Sequence, residues 1–333
     1  MAIVSPAMPG PAFGPEVHTQ ARTRLADLTG CVVVDTPTTA LLGASPQQRA
    51  GDITACFTDA SIGAIMASVG GNDTITVLPH LDGAAIAAHP TAFFGYSDNT
   101  HILNYLWKLG VQSYHGGATQ VHIGAGSGVD PEHSRSLQAA LSGQSITIEA
   151  VASSEDHGLP WDDPRALTDD GERTPPEPWR WAGPHRRVTA VTWGGCVSVL
   201  RDIFVAGLNP PDAELDGIAL LLELSDEPLT PLDMWYFLRA LGERGILSRC
   251  VAVVVARPPA TSFDFHPPLE QQQAFRAALV DTVARACAHY APQAVLCAGP
   301  SFGHTRPQWI LPYGGLITVD GRERTITAHF GGS

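Results

Sequence analysis

The sequence predicts an α/β protein in two domains, the first built on a mostly parallel sheet. Two observations carry this. Short apolar runs suited to buried strands alternate with segments of helical period along most of the chain, which is how a parallel sheet flanked by helices reads. Between Ser153 and Pro184 the composition turns to Pro, Asp, Glu and Trp, as expected of a segment crossing from one unit to the next. The length, 333 residues, allows two cores. The expected division is residues 1–150, a linker at 151–186, and residues 187–333.

In the first unit, Ile3-Val4 is a strand ending at Ser5-Pro6, and Thr19 to Leu28 is a helix with Ala21, Leu25 and Leu28 on its apolar face. Cys31 to Val34 reads as a strand. A helix starts near Ser45-Pro46, with proline at the first helical position, where its missing N–H costs nothing. Ile62 to Val69 leads into Gly70-Gly71-Asn72-Asp73. Ala92 to Phe94 is a short buried strand broken by Gly95, and Ile102, Leu103, Leu106 and Trp107 then recur at helix spacing until Gly110. A glycine-rich loop from Gly116 to Gly128, a helix over Pro131 to Leu141 and a strand over Ile146 to Ala150 follow.

The second unit opens with a strand from Val188 to Trp193, then Gly194-Gly195-Cys196 and a helix through Val199 and Ile203. Ile218 to Leu222 is a strand ending in Glu223. Thr230 and Asp233 cap a helix whose apolar face is Met234, Phe237, Leu238 and Leu241. Val251 to Val255 is a buried strand, Leu269 to Tyr290 a long helix, and Ala294 to Ala298 another strand. A loop over Gly299 to His304 and two short strands, Leu316 to Val319 and Thr325 to Ala328, complete the pattern.

A formal charge of −13 argues against nucleic acid or an anionic membrane as the main partner. No apolar run is long enough to span a bilayer, and Met1 to Ala7 lacks the basic start and apolar stretch of a secretory signal, so a cytoplasmic location is expected. The six cysteines form no Cys-x-x-Cys pair, and the thirteen histidines show no metal-binding spacing. Buried thiols are expected, and neither a metal nor a cofactor.

Chemistry centres on Ser97. A serine on a tight turn between strand and helix exposes its Oγ beside the unpaired N–H groups of the helix N-terminus. Alternatively it only caps the helix. The one literal Gly-x-Ser-x-Gly, Gly299 to Gly303, is followed by His304, Pro307 and Pro312 rather than a helix, so Ser301 is read as a turn residue. Gly124-Ala-Gly-Ser-Gly128 has its third glycine misplaced for dinucleotide binding. Glu223 ends an apolar strand, where an unpartnered carboxylate is costly. An imidazole is its natural partner, and His304 stands in a loop at the end of another strand of the same half. Ser97, Glu223 and His304 then form either a nucleophile, orienting acid and base or a salt bridge at an interface. Trp161, Trp179 and Trp181 of the linker either cover a core edge or stack on a planar ligand.

Gly95-Tyr-Ser-Asp98, Gly70-Gly71, Gly194-Gly195, Leu222-Glu223 and Gly303-His-Thr305 with Pro307 and Pro312 together resemble the LD-carboxypeptidase family of serine peptidases. Within it they are similar to the microcin C immunity protein branch. Gln48-Arg49-Ala50 with Asp52 and Phe57 also matches, so the resemblance runs from Ile3 to Val319. It implies a flavodoxin-like N-terminal domain carrying the nucleophile, a smaller C-terminal α/β domain, an active site in the cleft between them, and a homodimer. Carried over, Ser97 attacks a carbonyl, His304 takes its proton and Glu223 holds the imidazole. The backbone N–H groups of Gly71 and Asp98 form the oxyanion hole.

Departures from the family pattern separate the branches. Murein LD-carboxypeptidases usually carry an arginine just before the paired glycines. Here Val69 stands there, as expected of the immunity branch, and cannot pair with a substrate carboxylate. Cys196 replaces an asparagine common in the family. A linker tryptophan of the immunity branch stacks on the nucleotide base, which makes Trp181, then Trp179, the expected substrate contacts beside Gly70. The implied activity is hydrolysis of an amide in an aminoacyl- or peptidyl-nucleotide substrate through an acyl-enzyme, for self-immunity or detoxification. The alternatives are a murein tetrapeptide LD-carboxypeptidase in cell-wall recycling and a degenerate two-domain binding protein.

Overall fold

The apolar runs of the first half become parallel strands β1 (Ala2–Val4), β2 (Val34–Asp35), β3 (Ala64–Ala67), β4 (Ala92–Gly95) and β5 (Ser113–His115) in the computed structural model, which describes residues 1–227 and 229–331. Helices α1 (Gly10–Phe13), α2 (Pro15–Thr29), α3 (Pro46–Thr58), α4 (Gly83–Ala88) and α5 (Thr100–Lys108) connect them. Their ends follow local chemistry. α2 stops at Gly30 in the left-handed conformation. Ser45 and Gln48 form a capping box on α3. The strand order β2-β1-β3-β4-β5 is that of flavodoxin-like sheets. The Cys31 to Val34 run contributes only its last residue to a strand, because Val32 lies in the open.

After β5, a π-helical turn at Thr119–Gly124 packs on α2 inside the expected glycine-rich loop. Then come α6 (Pro131–Ser142), β6 (Ser145–Ile148), β7 (Arg180–Ala182), β8 (Arg187–Cys196), α7 (Val197–Val205), β9 (Ala219–Glu223), α8 (Pro231–Glu243), β10 (Ala252–Val255), α9 (Leu269–Tyr290), β11 (Val295–Ala298), β12 (Leu311–Tyr313), β13 (Leu316–Asp320) and β14 (Thr325–His329). The second sheet runs β6-β14-β13-β8-β9-β10-β11-β7, with β8 to β11 parallel. All five residues of β9 are buried, as expected of a central parallel strand covered on both faces.

The sheets exchange strands. β6, early in the chain, pairs with β14 in the second sheet, while β12 pairs antiparallel with β5 at the edge of the first. One apolar core runs through both units, from Ile65 and Phe93 to Trp193 and Leu222. At the junction, Trp193 Nε1 donates to Asn104 Oδ1 at 3.2 Å and the Tyr313 hydroxyl donates to the Gly194 carbonyl at 2.9 Å. These contacts hold α5, behind Ser97, against β8, beside Glu223. Among the described residues no helix is long and apolar enough to cross a membrane. All six cysteines are free thiols, five buried and Cys31 half-buried.

Candidate active site

Ser97 opens the short turn between β4 and α5 with φ 60°, a left-handed conformation that costs a non-glycine residue roughly 1–3 kcal/mol and persists only where its surroundings enforce it. Here they do. Asn99 Nδ2 donates to the carbonyls of Val69 at 3.2 Å and Tyr96 at 3.1 Å, tying the turn to the end of β3. Gly70 lies so close that a Cβ there would meet both Cβ and Oγ of Ser97 at 2.8 Å. Gly71 has φ 143°, which a side chain rarely adopts.

Asp98, itself buried, accepts hydrogen bonds from the N–H groups of Asp73 at 2.9 Å and Thr74 at 2.8 Å. Buried Arg49 donates to the Pro6 carbonyl and the Asp73 carboxylate. The paired-glycine turn is thus pinned from both sides against the start of α5. Among the described residues no backbone hydrogen bond engages the Gly71 N–H.

Glu223, at the end of β9, is fully buried, and His304 Nδ1 donates to its Oε2 at 2.6 Å. The loop after β11 approaches this closely because residue 303 is glycine: a Cβ there would lie 2.9 Å from Glu223 Cβ. Burial alone would raise the Glu223 pKa, but the charge and hydrogen bond of His304 outweigh it and hold the carboxyl below its ordinary value. Burial likewise opposes protonation of His304, yet the charge and hydrogen bond of Glu223, with Asp226 and Glu227 nearby, leave it raised. Tyr96 and the imidazole pack edge to face, 4.9 Å between ring centres.

Gly70, Gly71, Ser97, Asp98 and His304 share the wall of one cavity of about 670 Å³, with Glu223 directly behind His304. The first sheet therefore supplies the serine and the second the histidine. No hydrogen bond joins Ser97 to His304 here; such contacts are often long until substrate fills a site.

Linker residues Glu155 to Leu159 and Trp161 form part of this wall. Two ion networks fasten the linker. Asp156 takes Arg257 at 2.8 Å, Arg276 at 2.6 Å and the N–H groups of Ala260 and Thr261. Glu155 lies 3.4 Å from Arg306, which also donates to Asp130 at 2.8 Å. Neither tryptophan expected at the substrate lines the cavity. Trp181 sits in β7, paired with Cys297 of β11 at the sheet edge, and Trp179 packs on Gly299. Both cover the core. Trp161, the third of the linker tryptophans, stands at the cavity instead; its composition and spacing do not set it apart from the other two. Cys196 is buried, its N–H on Thr100 Oγ1 at 3.2 Å, and burial together with the Glu223 charge pushes its thiol well up, away from thiolate chemistry. Among the described residues no group of three or more His, Cys, Asp and Glu side chains is arranged to hold a metal ion.

Family models for the LD-carboxypeptidase N-terminal domain and the LD-carboxypeptidase C-terminal domain match residues 1–116 and 189–319. The chain belongs to the LD-carboxypeptidase family. Curated relatives whose names assign them provisionally as carboxypeptidases include YocD of Bacillus subtilis (strain 168), 32% identical over 34% of this chain, and VC_A0337 of Vibrio cholerae, 28% identical over 36%. The chain spans 36% and 37% of the length of these two relatives. A third, from Treponema pallidum, is 24% identical over 85% of this chain and 77% of its own length.

Among solved structures, an MccF-like protein from Streptococcus pneumoniae in complex with AMP superposes with a TM-score of 0.83 at 24% identity, covering 99% of this chain and 98% of its own. The microcin C7 self immunity protein MccF in complex with aspartyl sulfamoyl adenosine gives 0.80 at 17% identity, covering 98% and 95%. These neighbours establish that this LD-carboxypeptidase family member has the two-domain fold of MccF-like proteins.

Proposed function

We propose that the protein is a serine hydrolase that cleaves an amide bond in aminoacyl- or peptidyl-nucleotide substrates of the microcin C kind, conferring self-immunity or detoxification. One observation carries the reading: the buried Glu223 carboxylate holds His304 at 2.6 Å on the wall of a cavity that the strained Ser97 also lines. In this reading Ser97 Oγ attacks the substrate carbonyl while His304 Nε2 takes its proton, and Glu223 stabilises the imidazolium that forms. The N–H groups of Gly71 and Asp98 receive the oxyanion, each such donor contributing ~2.7–4 kcal/mol in the transition state. His304 then returns the proton to the leaving nitrogen, the C–N bond breaks, and the acyl group remains as an ester on Ser97. A water, deprotonated by His304, cleaves that ester and restores the serine.

Supporting a nucleotide substrate, structural neighbours are MccF bound to aminoacyl sulfamoyl nucleosides and an MccF-like protein bound to AMP. Trp161 lines the cavity, and an indole there would supply a stacking partner for a base. The cytoplasmic, homodimeric setting implied by the resemblance belongs to the same proposal. The second reading, a murein tetrapeptide LD-carboxypeptidase, draws on the family and on the carboxypeptidase names of the relatives. Against it, Val69 lines the cavity where a cation would meet the peptide carboxylate. Incubation with an aminoacyl sulfamoyl adenylate and with murein tetrapeptide, beside Ser97→Ala, tests both. Turnover of the adenylate, lost in the variant, is expected; turnover of the tetrapeptide alone would refute the nucleotide reading.

A further inference from the structure

One buried titratable group beside the Glu223–His304 pair has no part in the mechanism above. His115 ends β5 in the first sheet and is fully buried, yet neither ring nitrogen has a hydrogen-bond partner among the described residues. Its Nε2 lies 3.9 Å from Glu223 Oε1, the carboxylate oxygen not used by His304 and likewise without a hydrogen bond. Phe302 closes one side of the ring at 5.7 Å and Tyr96 another at 6.3 Å. The charged or titratable groups around the carboxylate are thus His304, His115 and Cys196, with Tyr96 at the edge.

We propose that His115 is a positioning residue for the reaction: a neutral imidazole reaching from the first domain, whose Nε2–H faces the second oxygen of Glu223 and fixes the carboxylate so that Oε2 meets His304. The proposal rests on the serine hydrolase reading of the site. The chemistry favours a neutral donor here. A second cation would compete with His304 for the Glu223 charge, and an apolar side chain would leave the Cys196 thiol as the one polar group beside the carboxylate apart from His304. Burial, reinforced by His304 and only partly offset by Glu223 and by the backbone of His115 and Phe302, pushes the His115 pKa down to about 4, so the ring is neutral near neutral pH. Because β5 and β9 belong to different sheets, His115 also makes the alignment of the pair depend on how the two domains meet.

The test combines two measurements on the full chain. Nitrogen-15 histidine spectra, with His115 assigned by His115→Gln, report its tautomer between pH 5 and 9. The neutral Nε2–H form is expected throughout; an Nδ1–H form, or protonation above pH 6, would overturn the proposal. Kinetics on an aminoacyl sulfamoyl adenylate then compare His115→Phe with His115→Gln. In the phenylalanine variant kcat falls by ~10-fold at nearly constant KM, as for loss of an interaction made in the transition state, and the acid limb of the pH profile moves to lower pH. The glutamine variant, which keeps an N–H, recovers most of the rate. Equal impairment of both variants, or an unchanged pH profile in the phenylalanine variant, would reduce His115 to packing. If that variant does not fold, the tautomer decides. Absence of turnover in the unmodified protein would overturn the hydrolase reading and leave the tautomer measurement to judge His115.

Discussion

Gly70→Ala is the most direct perturbation of the serine turn. Gly70 does not have the positive φ of Gly71, so alanine is compatible with its backbone and the only cost is contact. The new methyl would stand 2.8 Å from both Cβ and Oγ of Ser97, roughly 1 Å inside ordinary carbon contact. Ser97 cannot retreat by moving its backbone, because Asn99 ties the turn to Val69 and Tyr96. Relief must come from rotating Oγ off its rotamer or shifting the 70–74 turn, at ~1–3 kcal/mol for an overpacked site. A displacement near 1 Å of a reacting atom costs on the order of 100-fold in rate. The expected outcome is therefore a folded protein, its melting temperature lowered by several degrees, whose Ser97 reacts ~100-fold more slowly with a fluorophosphonate probe. Labelling within threefold of the unmodified protein would refute the close-approach argument.

Other expectations follow from the same geometry. Asp98→Ala removes the carboxylate that accepts the Asp73 and Thr74 N–H groups; urea unfolding should show a loss of ~3 kcal/mol, and a loss below 1 would mean the turn is held by other contacts. In the proposed mechanism neutral His304 is the base, and its pKa is raised by the Glu223 charge and hydrogen bond, so kcat/KM should climb with pH through a value above the ordinary histidine range. In Glu223→Gln the raising charge is gone and burial remains, so the acid limb should move to lower pH while kcat falls; an unmoved limb would contradict the pairing. Asp202, Asp226 and Glu227 share the cavity wall with Arg201, so competition assays should favour a lysyl over an aspartyl sulfamoyl adenylate, and the reverse order would show that these carboxylates face away from the acyl group.

Much of this site could be read from residues alone because its signals are local. A serine between a buried strand and a helix, a glutamate ending an apolar strand, and glycines beside both are each visible within a few positions. Gly303 and Gly70 are glycine because Glu223 and Ser97 lie against them. What escaped depends on distant pairing. No local pattern shows that β6 joins β14 or that β12 joins β5, since strand composition carries no address. The family resemblance points to Trp181 and then Trp179, whereas two arginine networks around Asp156 and Glu155 turn the Glu155–Trp161 stretch toward the cavity and leave Trp179 and Trp181 on the sheet edge. His115 carried no signal, because its significance lies in a carboxylate from the other sheet.

Site assembly therefore depends on the junction between the sheets. Asn104, Trp193, Gly194 and Tyr313 hold that junction through hydrogen bonds, so the separation of Ser97 from His304 follows from packing well away from either residue.

The central claim, that Ser97 carries an acyl group released from an amide with His304 as its base, is tested most directly by trapping that ester. The measurement is rapid acid quench of the protein during turnover of an aminoacyl sulfamoyl adenylate, followed by peptide mass mapping. The account predicts an aminoacyl mass increment on the peptide containing Ser97, absent from Ser97→Ala. Turnover that persists in Ser97→Ala, or an increment found on Cys196 instead, would contradict it.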